Sequence, residues 1–194
     1  MRDNKKVIYN AGSMFTSAQW DARKREGEKL KKVFPNFWIG NPVDFDTNQT
    51  ERPTNQAIFK MDYDGLNDAD YVILEIDSWD SGTEMEFGLV FQQALTNKNK
   101  VLIPVISDFR FKQGILNGEI PGFQLNAMIT GAFEYDQVND PKNPQMFLCG
   151  THDDAIEVIK LLEANKPEEA FKFDIKDTYK NESLYIGFEE KNEK

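Results

Sequence analysis

Tyr71-Val72-Ile73-Leu74-Glu75-Ile76 is almost continuously apolar and runs straight into Asp77-Ser78-Trp79-Asp80-Ser81-Gly82-Thr83-Glu84-Met85-Glu86-Phe87-Gly88. A strand that does not alternate apolar with polar residues is one covered on both faces, which is the position of a strand in a parallel sheet between helices. The acidic, glycine-containing stretch after it is then a loop over Asp77–Gly82 followed by a helix over Thr83–Thr96. Working outward, Lys6-Val7-Ile8-Tyr9-Asn10 reads as a first strand, and Ala11-Gly12-Ser13 as the turn that leaves it. Ser17–Val33 has helical character, with Trp20, Leu30 and Val33 as its buried stripe. Phe37–Gly40 is a short strand, the polar stretch from Asn41 to Thr54 a loop, and Asn55–Asp68 a helix. Downstream, Val101–Ile106 is another strand, in which Pro104 predicts an early end or a bulge. Thr151–Asn165 is an amphipathic helix capped by Thr151, burying Ala155, Ile156, Ile159 and either Leu161 or Leu162.

Strands alternating with helices over short connections predict an α/β fold: a doubly wound, mainly parallel sheet of the flavodoxin or Rossmann type, in a single domain. The expected division is a domain over residues 1–165 and a C-terminal extension over 166–194. That extension carries Phe171, Phe173, Ile175, Tyr179, Leu184, Tyr185, Ile186 and Phe188, too many apolar residues for a free tail, and is expected to pack on its own or a neighbouring subunit.

Composition narrows the function classes. A net charge of −10 disfavours binding to a nucleic-acid backbone or an anionic membrane, because basic patches supply that affinity. No apolar run has the length of a membrane span, and no signal-peptide pattern follows Met1, so a cytoplasmic protein is expected. The single Cys149 excludes an internal disulfide and is read as a small buried or half-buried residue. The single His152 leaves the usual triads without a base and a histidine zinc site without ligands; a surface or capping role is expected for it. GxGxxG, GxxxxGK[ST] and G-x-S-x-G are all absent, which leaves carboxylates as the available chemical groups.

Those carboxylates gather where an open α/β sheet binds its ligand, beyond the carboxyl ends of the strands. The loops after Asn10, Ile76 and Ile106 are expected to form one mouth. Asp80 is placed in the loop and Glu86 in the first turn of the helix, where the dipole favours an ionised carboxylate. An ionised carboxylate is what attack on a sugar carbon requires. Acidic residues at a helix start also serve simply as caps and dipole partners, and that reading stands beside the chemical one. Glu84 and Glu86 point in different directions, with Glu84 the solvated member. Gly82 permits a sharp turn, and Gly88 a close approach to the helix.

Asp80-Ser81-Gly82-Thr83-Glu84-Met85-Glu86-Phe87-Gly88 resembles the D-x-G-x-x-M-E-[LF]-G segment of nucleoside 2-deoxyribosyltransferases. Ile8–Phe15 is similar to that family's first strand and turn, Met61–Leu66 to its N-D-x-N-G-[IL] helix end, and Asn126–Gly131 to its N-x-M-x-x-G segment. The resemblance implies transfer of 2-deoxyribose between bases, with retention and without metal or organic cofactor. Glu86 would be the nucleophile at C1′, Tyr9 would hold it, and Asp62 would help protonate the departing base. Asp80 would accept a hydrogen bond from the 5′-hydroxyl, and Gly12 and Gly82 would shape the substrate pocket. Asn126 would reach the same end of the sugar from an adjacent subunit. Phe15 and Met128 would line the pocket, although Tyr9, Phe15 and Met128 are equally residues that fill cores. The partners implied are a deoxynucleoside, a free nucleobase and further copies of the chain, in a dimer-based homo-oligomer extending to a hexamer with shared sites. Two features depart from the family. Met14 stands where a Trp is common, and residues 136–194 are longer than in compact members, with Leu184-Tyr185-Ile186-Gly187 in the place of their aromatic tail. Two other functions compete: an N-glycosidase that uses water, acting on deoxynucleosides or deoxynucleotides, and a non-catalytic nucleoside-binding module. Asp80 opposes a nucleotide, since a carboxylate repels a phosphate by about 4 kcal/mol per charge pair at short range.

Overall fold

The computed structural model describes residues 5–45, 53–77, 80–108, 125–133 and 135–175. Strands β1 (Val7–Ala11), β2 (Trp38–Gly40), β3 (Tyr71–Glu75) and β4 (Val101–Val105) form one sheet in the order β2-β1-β3-β4. Every pairing is parallel. Beyond β4, parallel bridges Leu102–Met146 and Val105–Cys149 extend the sheet by a short fifth stretch. The helices are α1 (Ser17–Val33), α2 (Asn55–Asp68), α3 (Ser81–Thr96), α4 (Ala127–Phe133), α5 (His152–Glu163) and α6 (Pro167–Ala170). The single-domain, doubly wound architecture read from the sequence is the one observed.

Strand side chains alternate between the two faces, and each face has its own core. Val7, Tyr9, Ala11, Val72, Leu74 and Leu102 pack with Leu66 of α2, Phe87 and Val90 of α3 and Phe133 of α4. Ile8, Ile73, Ile103 and Phe147 pack with Leu30 of α1 and Ile156 and Ile159 of α5. Tyr9 and Asn10 are adjacent but belong to opposite faces, so β1 serves two different environments.

Pro104 does not end its strand. The amide of Leu102 donates to Gln145 at 2.7 Å, and the carbonyl of Pro104 accepts from Cys149 at 2.8 Å. Even-numbered residues of β4 therefore aim their backbone groups at the edge segment, so the missing N–H of Pro104 costs a bond to the edge and none to β3. Cys149 is buried, as expected. The buried stripe of α1 is Arg23, Gly27 and Leu30; Trp20 and Val33 are only half-buried. Charge explains the shift. Arg23 sits under β1 with Nη2 2.7 Å from Glu75 and 2.9 Å from Glu26. Asn10 joins this network through Asn41 at 3.2 Å and through His152 Nε2 at 3.0 Å. His152 is thus no surface residue: its side chain is 12% exposed, burial and the nearby Arg23 charge depress its pKa to about 4, and Thr151 does the capping.

Residues 166–175 pack on their own chain. Ala170 is buried, the rings of Phe147 and Phe171 are 5.5 Å apart, and the Ile175 amide donates to Leu148 at 2.7 Å. The expectation for Tyr179 through Phe188 lies outside the described residues. Among the described residues no helix is long and apolar enough to cross a membrane.

Removing one member of a buried ion-paired group strands its partners without counter-charge, a loss of about 3–5 kcal/mol. Arg23→Ala is therefore expected to lower the urea-unfolding free energy by about that amount. Trp20→Ala is expected to cost clearly less, and equal losses would contradict this account of α1.

Candidate active site

Tyr9 is fully buried in the middle of β1. Its ring is held where two glycines leave room. A Cβ on Gly65 would lie 2.7 Å from Tyr9 Cε2, and one on Gly40 would lie 3.1 Å from Cδ2. So confined, the phenol reaches two acids. Its hydroxyl lies 3.0 Å from Glu86 Oε1 and 3.2 Å from Asp62 Oδ1. One hydroxyl has one proton, so it can donate to one carboxylate at a time.

The acids come from two helices packed side by side. Asp62 belongs to an α2 face that also carries Ile58 and Leu66, each one turn away. Glu86 lies in the second turn of α3, because that helix starts at Ser81 and not at Thr83 as the sequence reading had it. The correction matters, since dipole stabilisation fades within the first turn. The acid of the first turn is Glu84. Burial, reinforced by the charges of Asp62 and Asp80, instead pushes the Glu86 carboxyl up to about 8, although the Tyr9 hydrogen bond acts the other way. Burial raises Asp62 as well. Burial and the two acids hold the Tyr9 phenol far above its ordinary value, so it stays neutral and donating.

Asp80 caps α3, accepting from the Gly82 amide at 3.0 Å and from Thr83 Oγ1 at 2.8 Å. It also borders a cleft of about 320 Å³ that contains Asp62 and Glu86. Of the site residues named from sequence, Gly12, Phe15, Asp62, Asp80, Gly82 and Glu86 line this cleft. Tyr9 lies beneath it, joined through its hydroxyl to the two acids. Asn126 accepts from the Met128 amide at 2.9 Å at the start of α4. Both are exposed, Met128 at 87%, and neither lines the cleft of its own chain. Gly88 faces open space, with nothing among the described residues within 4 Å of a Cβ placed there.

The rest of the lining was not singled out from sequence. Phe45, Ile58, Phe59, Tyr63, Met85 and Leu89 make the walls chiefly apolar. The described lining residues include no Lys, Arg or His. The Arg23 guanidinium sits behind Gly12, where a Cβ would come within 2.0 Å of Nη1, and its charge is matched by Glu26 and Glu75. One signal was available: an acid at 62 within an Ile58–Leu66 stripe marks a carboxylate on a buried helix face.

No family model matches the chain. The uncharacterized protein UU063 of Ureaplasma parvum serovar 3 is 30% identical over 94 residues, 44% of this chain and 60% of that relative. Among solved structures, a conserved protein from Enterococcus faecalis V583 shares the fold with a TM-score of 0.62 at 18% identity, over 81% of this chain and 99% of that one. The CMP N-glycosidase BcmB of Clostridium botulinum superposes with a TM-score of 0.47 at 14% identity, over 81% and 99% of the two chains.

An acid whose pKa is raised by folding is held more strongly in its protonated form, so its stabilising contribution is lost as pH rises from the unfolded value of 4.5 through about 8. Glu86→Gln removes that loss. It is expected to raise Tm at pH 8, by about 2–4 °C per kcal/mol recovered in a domain of this size, and to leave Tm at pH 4 nearly unchanged. An equal change at both pH values would contradict the burial of the Glu86 charge.

Proposed function

We propose that this chain transfers 2-deoxyribose between nucleobases through a covalent ester on Glu86. The observation that carries the proposal is the Tyr9 hydroxyl between Glu86 and Asp62, at the bottom of a cleft with apolar walls. Simple binding of a nucleoside has no need of two half-buried acids around one phenol, and their cost in stability is the mark of chemistry.

The working state holds one proton on the acid pair. Burial favours the proton on Glu86 in the free protein; in the working state it has passed to Asp62 through the Tyr9 hydroxyl, which takes the Glu86 proton and gives its own to Asp62. Tyr9 then donates to Glu86, whose ionised oxygen attacks C1′. The C1′–N bond breaks, its electron pair passes to the base, and the Asp62 proton goes to the departing ring nitrogen. The Glu86 anion stabilises the oxocarbenium-like transition state and then closes to the ester. A second base attacks C1′ from the opposite face, returns its proton to Asp62 and frees Glu86, with net retention. A substrate without phosphate suits a cleft whose described lining carries Asp62, Asp80 and Glu86 but no basic residue. Asp80 is assigned to the 5′-hydroxyl. Asn126 and Met128, exposed on α4, are assigned to the cleft of a neighbouring copy in a homo-oligomer.

Incubation with deoxyinosine or thymidine and a second base is expected to give a new deoxynucleoside faster than free deoxyribose. Glu86→Ala is expected to lower that rate by several orders of magnitude in a folded protein, and Glu84→Ala to change it little. Free sugar dominating at high acceptor concentration would make the enzyme a hydrolase. A folded Glu86→Ala protein as active as the wild type would end the proposal.

A further inference from the structure

Phe59 and Tyr63 stand one turn apart on α2, with ring centroids 5.6 Å apart and planes inclined by 20°. Both border the cleft, yet they remain 48% and 37% exposed. Two adjoining rings that packing leaves partly uncovered beside a cleft form contiguous apolar surface, and such surface marks a place where something binds. Their position says what. Asp62 lies between them in sequence, and its carboxyl reaches the Tyr9 hydroxyl at 3.2 Å. A group that receives a proton from Asp62 therefore lies against the same helix, beside these rings. The turn after β1 contributes Met14, a side chain with no ring face, and Phe15, a single ring that is 79% exposed, whereas α2 contributes two rings side by side.

We propose that the Phe59–Tyr63 pair is the platform on which a planar nucleobase stacks, and that it sets the choice of base. The proposal rests on the reading of Asp62 as the group that protonates the leaving base. Stacking suits a site that must accept more than one base, because every base offers a π face while hydrogen-bond patterns differ. The described walls around the pair are chiefly apolar, and Asp62 is the charged residue of α2 that lines the cleft with it. Selectivity is then expected to follow ring area, with purines held more tightly than pyrimidines.

The test is binding of the free bases adenine and cytosine, by calorimetry and by saturation-transfer NMR, to wild type, Phe59→Ala, Phe59→Leu, Tyr63→Ala and Tyr63→Phe. The rings are exposed, so the variants are expected to fold, and circular dichroism checks this. Adenine is expected to bind more tightly than cytosine. Affinity should fall on the order of tenfold or more in each Ala variant, fall in Phe59→Leu, which keeps apolar bulk without a ring, and stay near wild type in Tyr63→Phe. With a deoxynucleoside donor, the Ala variants should raise KM and leave kcat within about twofold, as loss of uniform binding does. Unchanged base affinity in both Ala variants, or no base binding by the wild type, would overturn the platform. Base binding that is lost in the Ala variants of a protein whose wild type transfers no sugar would uphold the platform and remove the transfer reaction instead.

Discussion

A phenol has one proton to give, and in this protein two carboxyl groups face it. Tyr9 lies within 3.2 Å of both Glu86 and Asp62, in a place where water does little to spread their charge. Two ionised acids at such a site repel each other, and the phenol can satisfy only one of them. The pair therefore retains a proton well above the pH at which a free carboxylic acid loses it. The rest of the site follows from that constraint. One proton shared between two acids leaves one of them free to act as nucleophile and the other as acid, the division of labour that the proposed cleavage of an N-glycosidic bond needs. Environment, and not residue type, separates the two roles.

Holding the phenol there constrains the fold around it. The ring lies on the face of β1 that α2 and α3 cover, and Gly65 and Gly40 leave the space it occupies. The neighbouring residue, Asn10, is turned by the strand pleat toward α1 and α5, where it meets Asn41, Glu26 and His152. Arg23 ties that second network to the carbonyl of Ala11 at 3.5 Å and to Glu75 at the end of β3. The two strand ends that frame the cleft are thus cross-braced from behind by a buried cation, while the acids in front work in an apolar cleft. Both arrangements place ionisable groups in the interior: Arg23 is matched by Glu26 and Glu75, and the two acids are held by the Tyr9 hydroxyl and a retained proton.

The fold was largely legible because its signals are local. An unbroken apolar strand at Tyr71–Ile76, helix starts at Ser17 and Asn55, and a Thr151 cap specify their elements without tertiary information. That Tyr9, Asp62, Asp80 and Glu86 come together was legible too, through the acidic segment after β3 and the matching segments around it. What escaped depended on contacts distant in sequence. Arg23 has no place in the apolar stripe read for α1 and is buried only because Glu75 and Glu26 close on it, and Trp20 looked buried because it is large and apolar. His152 looked like a surface group because Asn10, its partner, is 142 residues away. Glu86 differs for a similar reason: its position along the helix suggests a dipole effect that favours ionisation, whereas burial, with the charges of Asp62 and Asp80, raises its pKa. Phe59 and Tyr63 escaped because exposed aromatics at helical spacing look in sequence like any core-facing stripe.

The central claim is that Glu86 forms a bond to sugar carbon. Mass spectrometry after incubation with a slow 2′-fluoro-2′-deoxynucleoside tests it directly, because the fluorine slows both formation and breakdown of an oxocarbenium-like state and allows an ester to accumulate. The account predicts a fluorodeoxyribosyl mass increment on the peptide containing Glu86, removed by adding a free base and absent in Glu86→Ala. An increment on any other residue, or turnover of the donor with no adduct at any time, would contradict it.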